Sequence, residues 1–478
     1  MPLSDSGISP TVIFSLVPLN EAAARILRHP ANDDLFKHNP ARDKIDIVFD
    51  PNLSTGLFPC TMGRAGHINI PRPNIANFQC SFQIHEHTGE IMLVDNSLAK
   101  NCQFFECQGT GSLFDGSKAR PFREELRSRV AIIDPTINTT FSFGGRDASW
   151  YQWGIQWHVF PPLDTFEWIT AMTISGVGLI GQNETVANLP LARRKYYGLP
   201  EDRFLNRELI FPRLEKVVAK AVDVYSGQYV AIKTVKVQSR FEDIVALRNE
   251  AEEIFTDFNH PHIIEFLQVE ILENEYKLVM ELQGGTLTQL AREESYDCRW
   301  TDPHLRPLLH QMLQALDYLA SKDIIHRDVK PDNILWRFCD GEAELHYRLA
   351  DFDIATLSSD DPIVAGTLPF MAPEVSLLTT ATGQPHTPKI DVWSLWATLI
   401  WTFNMGTTAA PGRFRQLLPY SFPTNTIHRE IEMEAQAIAK EYGSTFETMA
   451  ASDPQDRASA GELLEWIFEG VGRTTSYP

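Results

Sequence analysis

The sequence predicts a multidomain protein: an N-terminal all-β sandwich over residues 10–160, a connector at 161–208, and a two-lobed α+β unit over 209–470. Three observations carry that expectation. Short alternating apolar runs with Gly, Pro and Asn punctuation fill the first third, a polar proline-bearing stretch interrupts them, and a strand pair followed by long helical periodicities fills the rest. A chain of 478 residues is long enough for two or three cores. Its 43% hydrophobic and 22% charged residues are ordinary globular usage, so most of it is expected to fold.

The strand signals run from Thr11 to His158 as TVIFSLVPL, IDIVFD, LFPCTMG, FQCSFQIHE, EIMLVD, CQFFECQ, RVAIID and WYQWGIQWHV. Alternation dominates and helical periodicity is slight, the pattern of two sheets packed face to face. Pro161, Pro162, Pro190 and Pro200, with LARRKYYGLPEDRFLNRE between and beyond them, mark the connector. KVVAKAVDVYSGQYVAIKTVKV then alternates like a hairpin, and a helix is expected from Phe241 to Asp257. In HLRPLLHQMLQALDYLAS the apolar residues Leu305, Leu308, Leu309, Met312, Leu313, Leu316 and Leu319 recur at helical spacing and read as a core stripe. Strands first and helices second predict two lobes with a cleft.

A formal net charge of −20 argues against nucleic acid or an anionic membrane as a general partner. Six cysteines without a CxxC pair fit a reducing compartment, and a cytoplasmic or nuclear location is expected. The N-terminus lacks a basic region and its apolar run is broken by Ser15 and Pro18, so no signal peptide is expected. WITAMTISGVGLIG and VWSLWATLIWTFNM are about fourteen residues each, short of the roughly 20 that span a bilayer, and read as buried elements.

The most specific stretch is IIHRDVKPDNIL, Ile324 to Leu335, which carries the pattern HRDxKxxN as His326, Arg327, Asp328, Lys330 and Asn333. Phosphoryl transfer needs a carboxylate to orient the attacking hydroxyl, a cation to balance charge on the migrating group, and oxygen ligands for magnesium. These residues supply all three. The stretch resembles the catalytic loop of the eukaryotic protein kinase family, and the resemblance extends from about Leu209 to Phe468 through VAIK with Lys233, ADFD with Asp351, GTLPFMAPE with Glu374, DVWSLW with Asp391 and DPQDRASAGELL with Arg457. Lys330 and the Gly366–Thr367 pair resemble the serine/threonine branch.

The resemblance implies ATP and Mg2+ as cofactors and protein hydroxyls as substrates. It implies Asp328 as base, Lys330 at the phosphate, Asn333 and Asp351 on the metal, and Lys233 on the nucleotide phosphates. Val218, Met280, Glu281, Leu282 and Gln283 are implied to line the adenine side, and Arg457 to pair with Glu374. For the helical glutamate that pairs with Lys233, Glu250 is favoured, with Glu252 and Glu253 open.

Two departures bear on activity. The three glycine positions of the family's phosphate loop fall, by spacing, at Phe211, Arg213 and Lys216. A loop without glycine cannot bring backbone amides as close to phosphate, although Arg213 or Lys216 can supply charge. Asp353 stands where the family has a glycine with φ > 0; its charge either repels phosphate or helps hold a cation. A weakly active or inactive pseudokinase scaffold is the competing expectation. Thr356, Ser358 and Ser359, between Asp351 and Glu374, are candidate modification sites able to pair with Arg327.

In the N-terminal region, TMGRAGHINIP and NIANFQCSFQIHEHTGEIMLVDNSLAKNCQFF resemble a forkhead-associated (FHA) domain, which implies phosphothreonine recognition through Arg64. Ala76–Gln79 replace its SRxH, and Lys100–Asn101 replace its Asn-Gly pair, so a weakened or altered ligand preference is expected.

Overall fold

The computed structural model describes residues 11–36, 41–50, 53, 56–85, 88–98, 102–105, 120–121, 129–136, 139–145, 150–159, 203–212, 216–236, 259–271, 275–293, 305–338, 345–352, 355–357, 365–376, 386–403, 429, 431, 433 and 444–476. The expected helix at 241–257 with Glu250, most of the connector, Lys100, Asn101, Arg213, Asp353, Ser358 and Ser359 lie outside the described residues. Two compact units account for the chain, one of residues 1–241 and 267–280, the other of 242–266 and 281–478.

The first unit opens with twelve described strands: β1 (Thr11–Pro18), β2 (Ile45–Phe49), β3 (Leu57–Phe58), β4 (Thr61–Gly63), β5 (Ile68–Asn69), β6 (Cys80–Ile84), β7 (Ile91–Asp95), β8 (Cys102–Phe105), β9 (Arg120–Pro121), β10 (Arg129–Ile132), β11 (Thr140–Phe143) and β12 (Tyr151–Trp157). They form one sheet in the order β3-β2-β1-β12-β11-β8-β9 and another in the order β10-β7-β6-β4-β5. Each of the eight alternating runs coincides with at least one strand. One shared apolar core joins the sheets, and Phe82 of β6 is its bridge, with its ring 5.2 Å from Phe14 of β1 and 5.8 Å from Phe141 of β11.

The region is not purely β. Helix α1 (Glu21–Leu27) interrupts it, started by Asn20, whose side chain accepts from Ala23 N. A cap followed by an alanine run suffices for seven residues of helix that the surrounding alternation hides. Buried polar groups stitch the sandwich. Ser15 donates to Asp46 at 2.5 Å and meets His158 Nε2 at 2.6 Å, and Asp95 accepts from Ser97 and from the amide of Cys102.

The same unit holds a second sheet group, β13 (Phe204–Pro212), β14 (Lys216–Asp223), β15 (Tyr229–Lys236), β16 (Phe266–Ile271) and β17 (Glu275–Glu281), ordered β13-β14-β15-β17-β16. Its first strand begins at Phe204, inside the segment expected as connector, because FLNRELIFP pairs along its length with β14. This sheet contacts the sandwich directly. Ile132 N donates to Val224 O at 2.8 Å, Thr88 Oγ1 donates to Gly227 O at 2.9 Å, and Ile132, Val222 and Val224 form a small shared core.

The second unit is mainly helical. Strands β18 (Gly285–Thr286), β20 (Ile334–Phe338) and β21 (Leu345–Leu349) form a small sheet, and β19 (Ile324–Ile325) pairs with β22 (Thr356–Leu357). The described helices are α2 (Leu287–Leu290), α3 (Leu305–Ala320), α4 (Pro373–Ser376), α5 (Lys389–Phe403), α6 (Thr445–Met449) and α7 (Ala460–Phe468). The predicted leucine stripe of α3 is buried throughout, from Leu305 to Leu319. Ser459 and Glu462 start α7 with a reciprocal capping box. In α5, which covers most of the second apolar run, Trp393, Leu395, Trp396 and Leu399 are fully buried, as a core helix requires. Among the described residues no helix is long and apolar enough to cross a membrane.

Phe82 is 2% exposed and touches aromatic rings of the opposite sheet on two sides. Phe82→Ala is expected to cost the sandwich about 3–5 kcal/mol in denaturant unfolding, whereas Phe78→Ala, at 51% exposure, is expected to stay within about 0.5 kcal/mol.

Candidate active site

The site is built on the loop between β19 and β20. One carboxylate fixes its backbone: Asp391, in the first turn of α5, accepts His326 N on Oδ2 at 2.7 Å and Arg327 N on Oδ1 at 2.9 Å. Burial pushes the Asp391 carboxyl up to about 7, against the two amide donors and the Arg327 charge that favour its ionised form. With both amides held, Arg327 sits in the left-handed region at φ 68°, a strain that a non-glycine residue adopts only when its surroundings impose it.

His326 is fully buried, and burial lowers its pKa, so it is neutral. Its Nδ1 accepts from Asp328 N at 3.3 Å, which assigns the ring proton to Nε2, and Nε2 donates to Ala350 O at 3.1 Å. That bond links the loop to the end of β21. Ala350 N in turn donates to Asn333 O at 2.8 Å. Asp351, the next residue, has φ 69°. Asp353, where the resemblance has a glycine with φ > 0, lies outside the described residues.

The sequence-predicted residues Asp328, Lys330 and Asn333 come together, with a fourth. Lys330 Nζ donates to Asp328 Oδ2 at 2.6 Å and to Thr367 Oγ1 at 2.8 Å, and the Thr367 hydroxyl donates to Asp328 Oδ1 at 2.7 Å. Asn333 Nδ2 donates to Asp328 O at 2.8 Å and Oδ2 at 2.9 Å. Its amide nitrogen being engaged, Asn333 has its carbonyl oxygen to offer a cation. An amide oxygen and the Asp351 carboxylate suit Mg2+, which takes one or two protein carboxylates and completes its shell with substrate phosphates and water.

Thr367 was visible in the sequence only as half of a Gly-Thr pair. Its placement depends on Gly366, at φ 122°, where a Cβ would stand 2.6 Å from Arg327 O. Glu374 and Arg457 form the expected pair, with Nη1–Oε1 at 2.6 Å and Nη2–Oε2 at 3.0 Å, and Arg457 also donates to Ala451 O and Lys389 O.

On the first unit, Val218 and Lys233 are direct cross-strand partners in β14 and β15, so they project from one face of the sheet, and Phe211 faces Val218 from β13. Lys233 and Met280 are buried. In the second unit, Glu281, the last residue of β17, turns its side chain to Arg337 of β20 and Arg348 of β21 and is held by both. Any contact it makes to an adenine is therefore left to its backbone. The side-chain amide of Gln283 is buried with no hydrogen-bond partner among the described residues.

A protein-family model described as "Protein kinase domain" matches residues 216–468. The chain is 29% identical over 269 residues to the serine/threonine-protein kinase PAK mbt of Drosophila melanogaster, covering 52% of this chain and 37% of that protein. It is 28% identical over 280 residues to the serine/threonine-protein kinase BCK1/SLK1/SSP31 of Saccharomyces cerevisiae, covering 54% and 17%, and 28% identical over 259 residues to sperm motility kinase 3A of Mus musculus, covering 52% and 46%. The chain thus spans less than half the length of each of these relatives.

Asp391→Asn leaves one acceptor oxygen for two buried amides, and a loss of about 1–3 kcal/mol is expected. The folded pKa is raised, so the stability contributed by protonating Asp391 is present at low pH and is lost as pH rises through about 7. Urea unfolding should therefore give a larger stability gap between the unsubstituted chain and this variant at pH 5 than at pH 8.

Proposed function

The chain belongs to the protein kinase family, and we propose that it transfers the γ-phosphoryl group of ATP to serine or threonine hydroxyls of proteins. The observation that carries this reading is the arrangement around Asp328. A carboxylate oxygen has room for about two donors. Among the described residues Oδ2 takes Lys330 and Asn333 and Oδ1 takes only Thr367, which leaves one lone pair on Oδ1 for a substrate hydroxyl.

In this reading Oδ1 orients the attacking hydroxyl and receives its proton, while Lys330, 2.6 Å from the same carboxylate, balances charge on the group in flight. Thr367 fixes the carboxylate plane, and Lys233 is assigned to the nucleotide phosphates. Asn333 and Asp351 would hold magnesium, which would supply charge neutralisation at the phosphates. Phe211 and Lys216 in place of loop glycines reduce backbone donation to phosphate, so a slow enzyme is expected; one lost preorganised donor is worth about a hundredfold in rate. Asp328→Asn should abolish incorporation of radiolabelled phosphate from γ-labelled ATP into a generic substrate while leaving thermal stabilisation by ATP and Mg2+ in place. Equal incorporation by both chains would remove the enzyme reading in favour of a scaffold.

A second reading concerns the N-terminal region, which we propose is an FHA-like module that binds a phosphothreonine-containing partner at Arg64. Arg64 is exposed, and its turn is pinned to the loop at Ala76 and Asn77 by two backbone bonds, Arg64 N to Ala76 O at 3.0 Å and Ala65 N to Asn77 O at 2.9 Å. A guanidinium fork on a braced turn is suited to a phosphate. Titration with phosphothreonine peptides against unphosphorylated controls should show phosphate-dependent binding that Arg64→Ala removes; binding that ignores either change would leave the region a structural part only.

A further inference from the structure

Among the described residues β13 is an edge strand, and it ends at Phe211 and Pro212, where the phosphate loop begins by spacing. Its pairing slips twice. Asn206 faces Ala221 and Glu208 faces Lys220, so Arg207 has no partner in the ladder; Leu209 and Phe211 face Ala219 and Val218, which leaves out Ile210. A bulge of this kind re-aims a side chain.

Arg207 is aimed at the sandwich. Its Nε and Nη2 donate to the two oxygens of Glu90 at 2.8 and 2.9 Å, and Nη1 donates to Asp134 Oδ2 at 2.7 Å. The side chains are 11, 0 and 3% exposed respectively. Tyr229 adds its hydroxyl to Thr88 O and Glu90, and Asp134 is braced by the amide of Thr136. Beside this cluster, Gly227 (φ 74°) lies so close that a Cβ there would stand 2.8 Å from Met92 Sδ.

One cation buried with two carboxylates is costly unless every charge is hydrogen-bonded, and the best-attested use of such a group is to specify register. The register at stake here is that of β13. That register sets Phe211, the first phosphate-loop position by spacing, across from Val218, the cross-strand partner of Lys233.

We infer that the N-terminal region is a clamp on the kinase domain, fixing the bulged register of β13 through Arg207 and thereby the placement of Phe211 across from Val218 and its partner Lys233. Arg207 is a positioning residue for nucleotide, and this role rests on the ATP-using reading above. The region then contributes to ATP use whether or not Arg64 binds a ligand.

The test uses the full chain and three variants: Arg207→Met, Arg207→Lys, and Asp134→Asn, which keeps the shape of the cluster should Arg207→Met fail to fold. Amide hydrogen exchange is read across 204–212, and steady-state kinetics give KM for ATP and kcat. Exchange in β13 is expected to quicken about tenfold in Arg207→Met or Asp134→Asn, with α3 unchanged. KM for ATP is expected to rise about fivefold with kcat within about twofold, and Arg207→Lys to recover part of both effects. Unchanged exchange in β13 overturns the clamp. Quickened exchange with an unchanged KM for ATP overturns the positioning role, as does a fall in kcat as large as the rise in KM. If the unsubstituted chain transfers no more phosphate than Asp328→Asn, the kinase reading fails first and this role falls with it, a failure seen without any Arg207 variant.

Discussion

The catalytic loop depends on the buried carboxylate of Asp391. By accepting the amides of His326 and Arg327 it replaces the hydrogen bonds that regular structure would have given them, and it holds Arg327 at φ 68°. That conformation presents the Arg327 carbonyl to Gly366, where a Cβ would stand 2.6 Å from it. Gly366 sets Thr367, and Thr367 sets Oδ1 of Asp328. A residue on α5 therefore determines where the Asp328 carboxylate stands. Two amide donors and a nearby guanidinium favour the ionised form that burial opposes.

A second route of constraint reaches Asn333 and Asp351. The neutral His326 ring spans Asp328 N and Ala350 O, and Ala350 N returns to Asn333 O. Asn333 and Asp351 are thereby positioned through one imidazole and one backbone bond. Phe352 packs its ring edge to face, 4.7 Å from the His326 ring. The φ of 69° at Asp351 is tolerable in the same way as that at Arg327, because neighbours on both sides define it.

Much of this was legible because the chemistry is written in contiguous residues. HRDxKxxN places its donors within eight positions, so local geometry alone brings Asp328, Lys330 and Asn333 together. The leucine stripe of α3 and the alternation of β1 to β12 are periodic signals, and they mark the same elements in the structure. Arg457 and Glu374 stand 83 residues apart, and only the family resemblance made their pairing an expectation. What the sequence hid depends on breaks in periodicity. A bulge at Arg207 inside the polar-looking FLNRE has no alternation signature, so the start of β13 was read as connector. Glu281 looks like a strand-end residue facing a ligand, but its charge is held by two arginines that only the fold of β20 and β21 brings to it. Helix α1 is too short for its period to stand out against the flanking strands.

The two units solve one problem in the same way. At Arg327 the backbone leaves regular structure through a positive φ, and at Arg207 through a bulge; in neither place does a hydrogen-bond ladder define the geometry. In both, a buried carboxylate with its oxygens occupied takes over that task, Asp391 through two amides and Glu90 through a guanidinium fork. Buried charge is a poor source of net stability, because desolvation offsets most of the attraction. It is a strong source of specificity, since any shift leaves a buried carboxylate unpaired at a cost of about 3–5 kcal/mol. Apolar packing of the sandwich, the lobe sheet and α3 holds the chain folded, and a few satisfied carboxylates determine where its irregular segments, the ones that carry the chemistry, come to rest.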